Sequence, residues 1–411
     1  MPEMKDAKAK YRMSKDGVVI AAITASLFLP VYMCVVPVAC FLWRVLSDRA
    51  LMRKMAQVPY VGFLAAFCVL TLAVSIVNGR VESIAVACAL TAAMAVAVYL
   101  RVVMTKDLLF GVLHACCWGA LLTLAVALVQ LVLYADVPGY RCMSVYSNPN
   151  YYAMMMEFIA LIALYLWVSG QPQRPLYAAA LLACVVGLYL SNSRAAMVTA
   201  IASSLILVLL MRRTKAFLYC MIGCAILGAV MLAFPELFRL NTNDQSMDVR
   251  QLIWKTGIEG FVKSPVIGYG AWSYGHIAAQ VSFGFPEVHA HNLLLELLLT
   301  SGLLGTALLA TYFVGNHIAV YKLHRKEKDH DLMALVYGVT MALMLHGLFD
   351  VTIFIPQTAF LLLMICSVSG LLEREAEQVQ AQVVPTHVHV PWLVPPVKPR
   401  SASAQTASPE K

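Results

Sequence analysis

The chain has 411 residues, of which 61% are hydrophobic and 13% are charged, and its mean hydropathy is +0.76. This composition excludes an ordinary water-soluble domain. Runs of about 20 apolar residues between short polar loops instead indicate a polytopic membrane protein. The net charge of +8 would suit a nucleic-acid partner. The basic residues lie beside the apolar runs, however, so we expect contact with membrane lipids and none with nucleic acid.

Twelve apolar segments are predicted to be membrane-spanning helices, which gives an all-α polytopic fold. The first two are the hardest to separate, because residues 17–46 are too long for one span and short for two. Pro30 and Pro37 interrupt this stretch and basic residues flank both of its ends, which favours a tight hairpin. The twelve segments are residues 17–32, 33–46, 58–77, 83–100, 107–133, 150–168, 176–191, 195–211, 216–234, 292–321, 332–348 and 356–372.

The distribution of Lys and Arg orients these segments, because cytoplasmic loops are enriched in both residues. It predicts that both termini are cytoplasmic. Residues 1–16 then form a cytoplasmic segment, residues 17–372 a membrane domain with one large exterior loop at about 235–290, and residues 373–411 a polar, Pro-rich tail that we expect to be disordered. Seven of the 30 basic residues remain on the exterior side: Arg80, Arg141, Arg194, Arg239, Arg250, Lys255 and Lys263.

Four of these exterior residues are candidate ligand-binding arginines. Each lies at a span end or in an exterior loop, and several have Gly, Ser, Asn or Pro as neighbours. A guanidinium pairs with phosphate oxygens through two donors and keeps its charge. Arg80, Arg141, Arg194 and Arg250 are therefore predicted to bind a polyanion, for which a lipid-linked pyrophosphate is the natural candidate. The alternative is that each arginine only reaches the lipid headgroups.

The large exterior loop contains a predicted helix around Arg250. An amphipathic helix on the outer leaflet would hold this arginine at the membrane surface, and a helix that only packs on the protein is the alternative. The prediction rests on apolar residues at helical spacing, namely Val249, Leu252, Ile253 and Thr256.

A second motif, the polar turn His289-Ala-His291-Asn292, opens directly into an apolar helix. With Asn292 as the N-cap, His291 lies just outside the first turn. There the positive helix end favours the neutral imidazole that a general base requires, and it also attracts anions. The alternative is that both residues merely cap a membrane helix. Zinc would need a third ligand, and none has recognisable spacing from the two histidines, so we predict no metal and no cofactor.

Three acidic residues and one further histidine complete the candidate polar groups. His346 and Asp350 are a second polar pair that could line the site. Glu157 and Glu296 lie inside predicted spans, where a charge is costly unless it is paired, so both are interpreted as structural.

Together these residues resemble the bacterial O-antigen ligase and polymerase superfamily. That family has a His-Asn pair followed after nine residues by Gly-x-x-Gly. Its large exterior loop carries Arg-x-x-x-Trp and a Ser-Pro-x-x-Gly-x-Gly turn. In this chain the motifs are His291-Asn292 with Gly302 and Gly305, Arg250 with Trp254, and Ser264-Pro265 with Gly268 and Gly270, and the pairs Ser193-Arg194 and Pro149-Asn150 also resemble family features.

The resemblance implies a glycosyltransferase of lipopolysaccharide biosynthesis. It would transfer O-antigen polysaccharide from undecaprenyl pyrophosphate to the lipid A–core oligosaccharide, at the periplasmic face of the bacterial inner membrane. His291 would be the general base, and the four arginines would hold the pyrophosphate. Asn292, Glu296, Trp254, Asp350 and the two glycines of the His-Asn motif would support the site.

The subclass within this superfamily stays open between a ligase, an O-antigen polymerase and a protein O-oligosaccharyltransferase. A single dominant exterior loop favours the ligase. So does the absence of an exterior arginine followed eleven positions later by glycine, and of a further exterior domain after the twelfth span. A transporter of lipid-linked sugars is the alternative from another class. It should show internal repeats and broken helices near the midplane. We detect no repeat, and the unusual charges cluster at the outer face.

Overall fold

The computed structural model describes residues 13–236, 246–281, 284–324 and 331–383. Every regular element in these ranges is a helix, which confirms the predicted all-α class for the described part of the chain. Most of the predicted segment 1–16, most of the predicted tail 373–411, and Arg239 lie outside the described residues.

Each of the twelve predicted apolar segments coincides with helix. The helices are α1 (Lys15–Ser26), α2 (Val35–Leu46), α3 (Arg49–Ala56), α4 (Val61–Val77), α5 (Val81–Val103), α6 (Lys106–Leu133), α7 (Pro149–Val168), α8 (Arg174–Ser191), α9 (Arg194–Leu210), α10 (Thr214–Ala233), α11 (Ser246–Lys263), α12 (Tyr274–Ala278), α13 (Leu293–His324), α14 (Asp331–His346), α15 (Pro356–Cys366) and α16 (Val368–Val383).

Several of these helices suit a bilayer, so the protein has the character of a multi-pass membrane protein. Among the described residues, six are long and apolar enough to cross a membrane: Val81–Val103, Lys106–Leu133, Pro149–Val168, Arg174–Ser191, Leu293–Leu323 and Pro356–Gln378. Shorter apolar helices occupy four more of the predicted segments, at Val61–Val77, Arg194–Leu210, Thr214–Val230 and Asp331–His346. The count of twelve spans stays a prediction.

The first two predicted spans form a helical hairpin in which α1 and α2 pack against each other. A short 3-10 turn over Val31–Cys34 follows Pro30 and separates them. The sequence analysis did not predict α3, which bends by 99° from the helix before it. Arg44 ties this region together, because its guanidinium contacts Asp16 at 2.7 Å and Asp48 at 2.8 Å.

Helix α7 lies at the centre of the bundle and packs against α8, α9 and α14. Most of its residues from Tyr152 to Leu166 are buried, as expected for a helix that is apolar on all sides. Its first turn, with Pro149 at the first position and Asn148 as the N-cap, therefore opens into the middle of one end of the bundle. We call this the site end; α8 and α14 end there, and α9 and α13 begin there.

Helix α13 is broken at Gly302, where φ is 62° and ψ is −169°. The freed backbone groups pair with the Ser-Pro turn of the large loop: the amides of Leu303 and Leu304 donate to the carbonyls of Pro265 and Val266 at 2.8 and 3.0 Å. This break was not predicted within residues 292–321. Because both partners are backbone, the loop is fixed against the helix at a single register.

The loop glycines are required by this close approach. A Cβ at Gly268 would lie 2.5 Å from the Leu299 carbonyl oxygen, and one at Gly270 would lie 2.6 Å from Ser75 Oγ of α4. A Cβ at Gly302 would overlap the Val266 carbonyl group. Gly268 and Gly270 of the loop, and Gly302 of α13, therefore allow the exterior loop to pack closely on α13 and α4.

Candidate functional site

The histidine turn stands at the start of α13. Asn292 caps this helix, since its Oδ1 accepts a hydrogen bond from the Leu295 amide at 3.0 Å. His291 precedes the cap with φ at +45°, a left-handed conformation that residues with side chains seldom adopt. Trp254 Nε1 donates to the His291 carbonyl at 3.3 Å, and Asn292 Nδ2 donates to the Leu348 carbonyl at 3.2 Å. The turn is thus held from two sides.

His291 is paired with Asp350. Its Nδ1 lies 3.0 Å from Asp350 Oδ1, and the carboxylate is only 4% exposed. Burial alone would raise the pKa of Asp350, but the hydrogen bond with His291 and the charge of nearby histidines hold that pKa below its usual range. An ionised carboxylate only accepts hydrogen bonds, so His291 donates from Nδ1, and in this neutral tautomer Nε2 carries no proton.

The Nε2 edge of His291 faces Glu287, whose Oε1 lies 3.8 Å away. His289 lies against the same imidazole, with 4.2 Å between the ring centroids. Burial, reinforced by the charge of His291, lowers the pKa of His289, although Asp350 and Glu287 oppose this shift. His289 is therefore neutral at neutral pH. It contributes a packing surface and not a second positive charge.

A chain of hydrogen bonds leads from Asp350 to Arg141. Asn150 Nδ2 donates to Asp350 Oδ2 at 2.6 Å, and Arg141 Nη2 donates to Asn150 Oδ1 at 2.6 Å. Arg141 Nε also donates to the Ser191 carbonyl at 2.8 Å. Three elements meet here, namely the first turn of α7, the end of α8 and the turn after α14. One predicted arginine is thereby connected to the histidine.

The Arg-x-x-x-Trp spacing is explained by helix α11. Residues four apart lie on the same helix face. From this face Arg250 Nε donates to the Phe349 carbonyl at 3.0 Å, while Trp254 holds the histidine turn. Arg250 therefore contacts the residue next to Asp350. Arg194 is the first residue of α9 and lies three positions after Ser191, which places it at the same end of the bundle.

Helix α11 was predicted to be amphipathic, and its two faces differ as follows. Ile253 and Thr256 are buried, together with Gly257 and Gly260. Leu252 was assigned to the same apolar face but is 49% exposed, and Ile258 and Val262 are exposed as well. The helix thus packs on the protein through one side and presents apolar residues outward on another.

Arg80 lies apart from the other arginines. Its Nη2 donates to the Tyr269 carbonyl at 3.2 Å, and its Nε is buried without a hydrogen-bond partner. It shares a cavity with Trp272 and Glu287, on the Nε2 side of His291. The four predicted arginines therefore do not form one group: Arg141 and Arg250 approach the Asp350 side, and Arg80 approaches the opposite side.

The remaining predicted polar groups have clear partners. Glu296 is buried and its Oε2 accepts from the Ala290 amide at 2.7 Å, so it supports the backbone of the histidine turn. Of the predicted polar pair, Asp350 lies in the site, whereas His346 pairs with another residue. His346 Nδ1 contacts Glu157 Oε2 at 2.9 Å, and both side chains are buried. His346 lies on the inward side of α14 and is therefore separated from the site, whereas Asp350 follows the end of that helix.

The family model described as O-antigen ligase matches residues 178–310, about a third of the chain. This part of the chain is similar to the O-antigen ligase family. The match bears out the resemblance for residues 178–310, and at a coarse level it supports an O-antigen ligase or polymerase type of glycosyltransferase in lipopolysaccharide biosynthesis. No curated protein matches the chain significantly. The matched region contains Arg194, Arg250, Trp254, His291, Asn292, Glu296, Gly302 and Gly305, whereas Arg80, Arg141, Asn150 and Asp350 lie outside it.

Three residues of the site form a group that could hold a metal ion. Ligand atoms of His289, His291 and Asp350 lie within 4.8 Å of one another. Two imidazoles and a carboxylate are a donor set that suits transition metals. The argument that the histidines lack a third ligand is therefore wrong, because Asp350 follows His291 by 59 residues, and short-range spacing could not reveal it. That the enzyme works without a metal stays a prediction.

Sequence reasoning did not assign three residues to the site. Asn150 orients Asp350, and the only signal for it was the Pro149-Asn150 pair of the family resemblance. Glu287 and Trp272 stand next to the two histidines. Neither carried a signal, because single acidic or aromatic residues in a polar loop are common.

Proposed function

We propose that this protein is an O-antigen ligase. It transfers O-antigen polysaccharide from undecaprenyl pyrophosphate to the lipid A–core oligosaccharide, without a metal ion. The observation that carries the proposal is the pairing of His291 with buried Asp350 at 3.0 Å, which leaves the imidazole Nε2 bare. Arg141 and Arg250 approach the same pair. A base beside fixed cations suits a reaction in which a hydroxyl displaces a polyanion.

In the proposed reaction, a hydroxyl oxygen of the acceptor attacks the anomeric carbon of the donor. The new carbon–oxygen bond forms while the bond from that carbon to the phosphate oxygen breaks, and its electron pair leaves with the pyrophosphate. His291 Nε2 takes the hydroxyl proton. Asp350 then stabilises the imidazolium through the Nδ1 hydrogen bond, as the carboxylate of a catalytic triad does.

The arginines act on the leaving group. Pyrophosphate gains negative charge as the bond to carbon breaks, so fixed guanidinium groups stabilise the transition state more than the ground state. Arg141 is held by Asn150 and Ser191, and Arg250 by Phe349, so neither has to be ordered when the donor binds. Arg194 completes the proposed set at the start of α9.

The membrane orientation follows from the distribution of charge. The end of the bundle opposite the site carries Arg101, Lys106, Arg174 and Arg212. Such enrichment is typical of the cytoplasmic side. The site end is therefore periplasmic in this proposal, the protein lies in the bacterial inner membrane, and both termini are cytoplasmic. A donor with its lipid tail in the bilayer would present its pyrophosphate at the depth of the arginines.

The proposal is tested by transfer of glycan in purified, reconstituted protein supplied with undecaprenyl-pyrophosphate O-antigen and lipid A–core. We expect His291→Ala to lower the transfer rate by about 10²–10⁴, the range typical of a general base. The control is His317→Ala, which changes a histidine far along α13 that contacts Thr340.

Three outcomes would contradict the proposal. Wild-type protein that transfers nothing to lipid A–core would exclude the ligase assignment, and growth of the donor glycan instead would identify a polymerase. Transfer only to a protein acceptor would identify an oligosaccharyltransferase. His291→Ala protein that inserts normally and retains the wild-type rate would remove the general-base role.

A further inference from the structure

A cavity of about 300 Å³ opens beside the histidine turn. This volume is at the lower end of the range for small-molecule sites, about 300–1,000 Å³. Its walls come from three parts of the chain that are distant in sequence: the start of α5, the loop and short helix around α12, and the residues before the histidines. The lining side chains relevant here are Arg80, Glu82, Trp272, His276 and Glu287.

Glu287 connects the cavity to the Nε2 edge of His291. The Nδ1 edge of the imidazole is occupied by Asp350 at 3.0 Å. The opposite Nε2 edge faces Glu287 at 3.8 Å, and Glu287 lines the cavity. A hydroxyl that gives its proton to Nε2 must approach from this edge. A sugar whose hydroxyl approaches this edge lies beside Glu287 and can extend past it into the cavity.

The charges of the cavity distinguish the two substrates. Two carboxylates, Glu82 and Glu287, line the cavity together with one guanidinium, Arg80, and the imidazole of His276. The two carboxylates repel a pyrophosphate, so the cavity is a poor site for the donor's phosphates. Arg141 and Arg250, which suit that group better, approach the Asp350 side of His291 instead. Carboxylates accept hydrogen bonds from hydroxyl groups, and the indole of Trp272 offers a flat apolar face. These are the groups that a sugar ring requires.

We propose that this cavity is the acceptor subsite, which binds the sugar unit whose hydroxyl attacks the donor. Glu82 and Glu287 accept hydrogen bonds from its hydroxyls, Trp272 packs against the ring, and the Arg80 guanidinium donates to an oxygen of the same unit. Arg80 thereby belongs to acceptor recognition and not to the pyrophosphate clamp. The inference rests on the proposed function and assigns the two substrates to opposite sides of His291.

The test separates the Michaelis constants of the two substrates. Glu82→Gln and Trp272→Ala are assayed in reconstituted full-length protein, with lipid A–core and undecaprenyl-pyrophosphate O-antigen varied in turn. We expect each variant to raise KM for lipid A–core about tenfold or more, as the loss of one charged hydrogen bond or ring contact does. KM for the donor should stay unchanged. Glu259→Gln on α11 and Trp43→Ala on α2 are the matched controls outside the cavity lining.

Unchanged KM for lipid A–core in both variants would overturn the acceptor subsite and leave the proposed function intact. A rise in KM for the donor alone would instead assign the cavity to the donor glycan. If wild-type protein transfers nothing, the proposed function fails, and the subsite is tested separately by calorimetric titration of core oligosaccharide without donor. Binding that both variants lose supports the subsite, and absence of binding to the wild type overturns it.

Discussion

Replacement of Asp350 by Asn tests how the histidine is set for catalysis. Both carboxylate oxygens are acceptors: Oδ1 accepts from His291 Nδ1 at 3.0 Å and from the Val351 amide at 2.8 Å, and Oδ2 accepts from Asn150 Nδ2 at 2.6 Å. An Asn side chain has only one oxygen and an NH₂ donor. In one orientation its NH₂ faces Asn150, and in the other it faces His291 and Val351. If Asn150 turned to accept, it would lose its bond from Arg141.

The size of the expected decrease in kcat follows from the change of the His291 tautomer. With an NH₂ group in place of Oδ1, the imidazole is driven to carry its proton on Nε2, where it cannot act as a base. In a serine-protease triad the same Asp-to-Asn change lowers kcat by about 10⁴. The His291 base is itself worth about 10²–10⁴. We therefore expect kcat for glycan transfer to fall by about 10²–10⁴ in Asp350→Asn, with KM for both substrates nearly unchanged.

The pKa of Asp350 sets the direction in which its stabilising contribution changes with pH. The pKa of Asp350 is depressed by its histidine partners, so its stabilising contribution is present above the ordinary carboxyl pKa of about 3.9 and is lost only as the pH falls through the lower folded value. Between pH 5 and 8 the wild type should thus keep this carboxylate ionised. An activity loss of the wild type in this range would have to come from another group.

The assay compares Asp350→Asn with Asp331→Asn, which changes an aspartate at the opposite end of α14 that pairs with Arg213 at 3.3 Å. Both variants are measured for membrane insertion, thermal stability and transfer rate. Leaving a buried donor unpaired costs about 1–3 kcal/mol, so moderate destabilisation is expected as well. A wild-type kcat in Asp350→Asn, or a decrease no larger than in Asp331→Asn, would refute the paired-base geometry.

Two other predictions concern charge. Arg250→Lys and Arg194→Lys should each lower the transfer rate at least tenfold, because lysine keeps the charge but lacks the planar fork of donors. Arg213→Lys is the control. Normal donor binding and transfer in both variants would show that these arginines only anchor to headgroups. Transfer should survive EDTA, since guanidinium groups supply the positive charge that a divalent ion would give. Activity that disappears with chelator and returns with a divalent ion would instead identify His289, His291 and Asp350 as metal ligands.

The sequence predicted the helices well, because hydropathy over a span-length window depends on composition and not on packing. The twelve apolar segments coincide with helix, and the Pro-interrupted first stretch forms two packed helices. Local signals also succeeded at the cap of α13, where Asn292 accepts from Leu295. What failed locally was the break at Gly302, because a glycine inside an apolar run does not reveal that a distant loop pairs with the freed backbone.

The site was only partly predictable, because its contacts also join residues that are distant in the sequence. His291 and Arg250 were identified from motifs, but their partners were not. Asp350 was paired with its close neighbour His346, whereas the fold turns His346 inward to Glu157 and joins Asp350 to His291. Which residues of α14 and of the turn after it face the site depends on how that helix packs against α7 and α9. A single sequence carries no measure of that packing.

The structure also explains why the motif residues cannot be divided cleanly into structural and functional ones. Trp254 holds the His291 carbonyl and Asn292 holds the Leu348 carbonyl, so the bonds that fix the histidine turn also join α11 and the end of α14 to it. His291 stays in its left-handed conformation only because these neighbours fix it. A change at Trp254 should therefore alter the direction of the imidazole before it unfolds the helix. The base, its carboxylate and Arg250 are held by three turns that fix one another, and the membrane helices only bring those turns together.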